Sequence, residues 1–326
     1  MTTLDRRAVL ALAASPLVAP LALHAAETTY PDRPVHFVNW SSPGGNLDIV
    51  CRLLADHLGA RWRQSVITDN KAGASGIIAT DFVAKAQGDG YTVLVTSSTG
   101  QITNALIRLR LPFDVRRDFK PVSLLVAGNI ALAARPDAPY SNLAELVAYA
   151  KAQKKSLSYG SFGIGTSAHL FGERLKRASG IDLAHVPYKG ELAGVTDLIG
   201  GNLDLMFISQ GNAKLQSDGG KVKLIAISGP KRTAGLNVAT FGEQGFPGFG
   251  LAGWIGAFVP AATPDAIVDK LAGDMQDVLR QTDVKARLEG LGYEVIGDRA
   301  DKFRVFFEED FARVAEMIKG AGITPE

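Results

Sequence analysis

The stretch Val35-His36-Phe37-Val38-Asn39-Trp40-Ser41-Ser42-Pro43-Gly44-Gly45-Asn46 decides how this chain folds. Its first half is rich in β-branched and aromatic residues, and its second half is a Ser, Pro and Gly run that ends a strand. Apolar residues then recur at helical spacing, Ile49, Val50, Leu53, Leu54 and Leu58, with Asn46 placed to cap the helix and Asp48 suited to its positive dipole end. The unit is strand, small-residue loop, helix. It recurs at 65–68, followed by Gly73-Ala74-Ser75-Gly76 and a helix through Phe82 and Val83. It recurs again at 91–95, followed by Thr96-Ser97-Ser98-Thr99-Gly100 and a helix at 104–107. Such alternation predicts an α/β architecture with a largely parallel sheet.

Further along, the apolar run 122–134 reads as a strand leaving this first unit, and a second α/β block follows. That block holds a helix near 143–151, a strand at 156–159, the glycine loop 160–165, a helix at 168–176, an extended segment at 184–188, and strands at 204–208 and 222–228. The apolar run 250–258 crosses back, and two helical patterns, 266–279 and 302–318, end the chain. Two crossing segments around a middle block predict one discontinuous domain, 27–127 with 252–326, and one inserted domain, 128–251. Such an arrangement makes a cleft with a hinge.

Residues 1–26 read as an export signal: Arg6-Arg7, an apolar run broken by Pro16 and Pro20, then Ala25-Ala26. The run is short for a membrane span, which wants about 20 apolar residues. The pair of arginines leaves both the general secretory and the twin-arginine route open. Composition supports a folded protein, with 46% hydrophobic and 21% charged residues in 326. A net charge of +2 excludes a non-specific nucleic-acid binder, and the single Cys51 excludes an intrachain disulfide. Glycine is in excess, 35 residues or about 11% against roughly 7% in an average protein.

That glycine concentrates where chemistry is expected. Four small-residue loops, 41–46, 73–76, 96–100 and 160–167, each join a strand end to a helix start. Helix N-termini there offer free backbone N–H groups and positive potential, so they favour an anion without Lys or Arg, while Ser and Thr hydroxyls orient it. Gly163-Ile164-Gly165-Thr166-Ser167-Ala168 also fits a G-x-G-x-x-A dinucleotide fingerprint with Asp182 downstream, so an exported NAD(P)-dependent or hydrolytic enzyme built on this loop is the rival reading. The five His residues lack metal spacing, Cys51 belongs to an apolar helix face, and Phe303, Phe306, Phe307 and Phe311 form a core stripe. No metal or cofactor is expected.

At these loops the chain resembles the Bug-type extracytoplasmic solute receptors of tripartite tricarboxylate transport systems. The resemblance rests on Tyr30-Pro31, Pro43-Gly44-Gly45 with Asp48, Asn70 with Gly73, Asp89-Gly90-Tyr91-Thr92, Leu111-Pro112-Phe113, Asp118-Phe119-Lys120-Pro121-Val122, Gly165-Thr166-Ser167, Val186-Pro187-Tyr188-Lys189-Gly190, Asp204-Leu205-Met206-Phe207 and Lys231-Arg232. It implies a two-domain, type II-like periplasmic binding protein, a monomer without enzymatic activity. Its cleft would capture a small organic carboxylate, dicarboxylate or aromatic, for delivery to a membrane transporter. By motif position it implies ligand contacts at Ser41, Ser42, Gly44, Gly45, Ser75, Ser97 and Ser98 in the first domain. In the second it implies Gly165, Thr166, Ser167, His169, Tyr188 and Asp204. The chain departs from the family pattern at Trp40-Ser41, where Pro-Phe is common, at Ser75, where Gly is common, and in the offset of His169.

Overall fold

The computed structural model describes residues 30–153, 156–188 and 190–325. The signal segment read at 1–26 lies outside them. The opening unit forms as its pattern dictates: β1 (Val35–Asn39), α1 (Asn46–Trp62) and β2 (Val66–Asn70), then α2 (Ile77–Ala84) and β3 (Thr92–Ser97). After β3 the chain turns through a wide π-type helical turn, Thr99–Thr103, into α3 (Asn104–Ile107). β1 pairs in parallel with β2 and β3.

The apolar run 122–134 is two strands, not one. β4 (Phe119–Gly128) belongs to the first sheet and β5 (Ile130–Ala134) to the second, with Asn129 alone between them. The second lobe continues with α4 (Leu143–Ala152), β6 (Leu157–Ser161), α5 (Ser167–Ser179), β7 (Leu183–Pro187), α6 (Glu191–Ile199), β8 (Leu205–Ser209), α7 (Gln210–Asp218) and β9 (Lys223–Ile227). The chain returns as β10 (Gly253–Pro260) and ends with α8 (Asp265–Leu279), α9 (Thr282–Gly290), β11 (Tyr293–Arg299) and α10 (Ala300–Ala321). The strand orders are β11-β4-β10-β3-β1-β2 and β7-β6-β8-β5-β9.

Both sheets are mixed rather than largely parallel. β10 runs antiparallel to β3 and β4, and β5 runs antiparallel to β8 and β9, because the strands that carry the chain between lobes enter against the βαβ direction. Strand β4 is buried along 122–127, as expected of a strand covered on both faces. The aromatic stripe of α10 packs as core: Phe303 and Phe307 are buried, and Phe303 meets Trp254 edge-on at 5.4 Å. Trp254 Nε1 donates to Asp310 at 2.8 Å, which satisfies the indole inside the core. Cys51 is fully buried, and burial pushes its thiol up to about 12, so it packs as an inert apolar side chain.

Candidate functional site

A cavity of about 490 Å³ opens between the two sheets, a volume suited to a small molecule. Its first-lobe wall is built from strand ends. Trp40 and Ser41 follow β1, Ser97 ends β3, and Ser98 and Thr99 begin the helical turn after it. Antiparallel insertion of β10 beside β3 brings Gly253, Trp254 and Ile255 next to Ser97 and Ser98. The second-lobe wall carries Phe162, Thr166, Ser167, Glu191, Ser209 and Gln210, again at strand-to-helix junctions. Asn129, the single residue between the lobes, also lines it.

The electrostatics follow from composition. Among the described residues that line the cavity there is no Lys, Arg or His, and the ionisable groups are Glu191 and Tyr293. Helices α1 and α5 begin there or nearby without a side-chain hydrogen bond at their caps, Gly45 and Thr166. Positive potential at the wall therefore comes from helix ends and amide dipoles. Two buried donors, Trp40 Nε1 and Ser97 Oγ, have no hydrogen-bond partner among the described residues, and both residues line the cavity. Buried donors are ordinarily paired, so these two mark a departure from that rule beside the cavity. Trp40 is admitted by glycine: a Cβ on Gly76, at φ +99°, would lie 3.0 Å from the indole, and one on Gly100 would lie 3.3 Å from its nitrogen.

Of the thirteen residues expected to contact ligand, the cavity brings together Ser41, Ser97, Ser98, Thr166 and Ser167. The other first-lobe residues are committed elsewhere. The N–H of Gly44 donates to Asp48 at 2.8 Å, and the N–H of Gly45 donates to the Ser42 carbonyl at 3.1 Å. Asp48, buried beneath that turn, also accepts from Asn70 and Arg52, so the carboxylate that organises the glycine turn is the protein's own. Asn46 is the first residue of α1 rather than its cap. Ser42 and Ser75 are exposed away from the cavity, and the Ser75 carbonyl accepts from Asn104 at 2.9 Å.

In the second lobe the Gly165 N–H donates to His169 Nδ1 at 3.1 Å, and Gly165 sits at φ +78°, where L side chains are strained. His169 is therefore an acceptor at Nδ1, stacks on His185 at 4.0 Å, and braces the loop from beneath. Burial lowers the affinity of both imidazoles for a proton, and for His185, whose value falls to about 4, His169 adds to the effect. The Tyr188 hydroxyl donates to Asp197 at 2.8 Å, which turns it into its own lobe. Asp204 precedes β8 and accepts from the amide and hydroxyl of Ser158, at the opposite end of that strand from cavity-lining Ser209. It staples β8 to β6. Trp254, Tyr293, Glu191 and Asn129 were missed by the sequence reading, and the small-residue loop signal could not have found them.

The geometry also bears on the dinucleotide fingerprint. Asp182 lies just before β7, beside the start of β6, whereas Gly163 follows the other end of β6. The acid and the glycine loop are thus at opposite ends of the sheet. Ser161 Oγ lies 2.7 Å from His185 Nε2, but Ser161 is fully buried and has no access to a substrate.

A cavity between two mixed α/β lobes, walled by strand-to-helix junctions, defines a solute-binding protein with a two-domain fold. The model of the tripartite tricarboxylate transporter family receptor, TctC, matches residues 50–323, and the chain belongs to that family. A relative from Pseudomonas sp. strain P51, the UPF0065 protein in the tcbD-tcbE intergenic region, is 32% identical over 291 residues, covering 89% of this chain and 86% of its own. Rpa4515 of R. palustris, solved with adipate, superposes with a TM-score of 0.80 at 31% identity, covering 91% of this chain and 100% of that one. The periplasmic binding protein BugD superposes with a TM-score of 0.77 at 34% identity over the same shares. Family and neighbours are solute-binding receptors rather than enzymes. Among the described residues no helix is long and apolar enough to cross a membrane.

Proposed function

We propose that this protein captures a small organic carboxylate in the cleft and delivers it, in the periplasm, to the membrane components of a tripartite tricarboxylate transporter. In this reading residues 27–127 with 252–326 form one domain, residues 128–251 the other, and the chain acts as a monomer. The observation that carries the proposal is a wall of hydroxyls and amides at strand-to-helix junctions, with no cationic side chain among its described residues. Such a wall holds an anion by hydrogen bonding and helix dipoles, each charge-assisted bond contributing about 1.5–3 kcal/mol. Adipate in Rpa4515 supports a ligand of that class. Ser41, Ser97, Ser98, Thr166 and Ser167 are the proposed contacts.

Titration calorimetry of the purified protein against linear and aromatic mono- and dicarboxylates tests this. At least one acid is expected to bind with one-to-one stoichiometry, and Ser98→Ala is expected to weaken it without lowering the melting temperature. Binding of sugars or uncharged amides with no acid bound overturns the proposal.

A further inference from the structure

Glu191 is a carboxylate inside a cleft read as a carboxylate site, and its surroundings say what it is for. It is the first residue of α6, and Oε1 accepts from the N–H of Ser209, the cap residue of α7. Its carboxylate therefore sits at the N-terminal ends of two helices, where a helix start stabilises an anion. In this corner of the second lobe, the place a ligand carboxylate would take is already filled by the protein.

No described residue lining the cavity offers Glu191 a cation. Tyr293, which lines the same cavity, has a phenol whose proton is held more tightly by burial and by the Glu191 charge. Trp40 and Phe162 line the same cavity, and aromatic rings can attract a desolvated cation. A second ligand carboxylate reaching this corner would place two like charges together in a partly dry cleft. A cationic donor would make a charge-assisted bond there instead.

We infer that Glu191 sets the specificity of the cleft, selecting acids whose far end carries an ammonium or pyridinium N–H over plain dicarboxylates of the same length. The inference rests on the carboxylate reading above, with the ligand's acid group held at the Ser97–Ser98 end. Burial raises the Glu191 carboxyl above its ordinary range, and a cationic group placed beside it would favour its charged form.

Matched pairs test it: adipate against 6-aminohexanoate, and terephthalate against 4-(aminomethyl)benzoate, titrated into the wild-type protein and Glu191→Gln. The amino member is expected to bind at least about tenfold more tightly to the wild type, because truncating or opposing a buried charge partner is worth that much or more. Glu191→Gln keeps an acceptor for the Ser209 N–H and removes the charge, so the preference is expected to collapse to within about twofold. Preference of the wild type for the diacids overturns the inference, whatever the variant does. So does a preference for amino acids that survives in Glu191→Gln. If neither kind of acid binds the wild type, it is the carboxylate reading itself that fails.

Discussion

The loops that face each other across the cleft are built from the same residue types and use them in opposite ways. After β1 and β3 in the first lobe, Trp40 Nε1 and Ser97 Oγ are buried without partners and border the cavity. In the second lobe, the loop after β6 pairs most of its polar groups internally, with Thr166 and Ser167 still at the cavity wall. Gly163 N–H donates to Ser161, Thr166 Oγ1 donates to the Gly163 carbonyl at 2.7 Å, Gly165 N–H donates to His169, and His169 stacks on His185. One wall leaves two buried donors unpaired, and the other is largely a braced scaffold. Serine and glycine content cannot tell the two apart, because what differs is where each N–H and O–H already goes.

The sharpest test of the scaffold is acid. Burial, and then the neighbouring His169, hold the His185 imidazole at about 4, while an unfolded chain takes up that proton near 6.5. The neutral form is therefore the one the fold accommodates. Stability from this group is present above about pH 6.5 and is lost as the pH falls toward 4, by on the order of 2–3 kcal/mol. Chemical denaturation at stepped pH should show the wild type losing stability more steeply than His185→Gln over that window; equal slopes would remove the pair from the scaffold's account.

Packing beneath the same loop gives a somewhat smaller effect. A Cβ on Gly172 would lie 2.0 Å from the ring of the fully buried Tyr159, which stacks on His185 at 5.0 Å. Gly172→Ala is expected to destabilise by about 2 kcal/mol through overpacking. An unchanged denaturation midpoint would show that this wall gives way more easily than its packing indicates.

The unpaired donors should respond in the other coordinate. Ser97→Ala removes a hydroxyl with no partner among the described residues, so stability should hold while affinity for the bound acid falls about tenfold, or 1.4 kcal/mol. Calorimetry beside a melting curve separates the two, and a stability loss with intact affinity would erase the contrast between the walls. The smallest expected change comes from Tyr188→Phe. Losing the bond to Asp197 should cost about 1 kcal/mol of stability and leave affinity within experimental error; weakened binding would return Tyr188 to the ligand site.

The pattern around 35–46 was enough to establish a strand, a loop and a helix, since alternation and helical spacing are local properties of the side chains. The same holds for the α10 stripe and for the two apolar crossings. Elements with weaker signals were not legible. Helices α6, α7 and α9 are nine residues each, and β11 carries Glu294 and Asp298 among its apolar positions. Those elements supply Glu191, Gln210 and Tyr293 to the cavity. The break at Asn129 was likewise invisible, because Val122 to Ala134 is apolar on both sides of it and hydropathy does not record a change of sheet.

By itself, the sequence determined that small-residue loops would lie at helix starts and that an acid could be bound there without a basic side chain. Only the tertiary structure decided which residues of those loops face the cavity. Asp48 takes the Gly44 amide and His169 takes the Gly165 amide, while Ser97 Oγ stays unpaired and Glu191 arrives from a distant helix. The physical reason is competition. A backbone N–H serves a ligand only if no side chain reaches it first, and which side chain reaches it depends on packing between residues far apart in the chain.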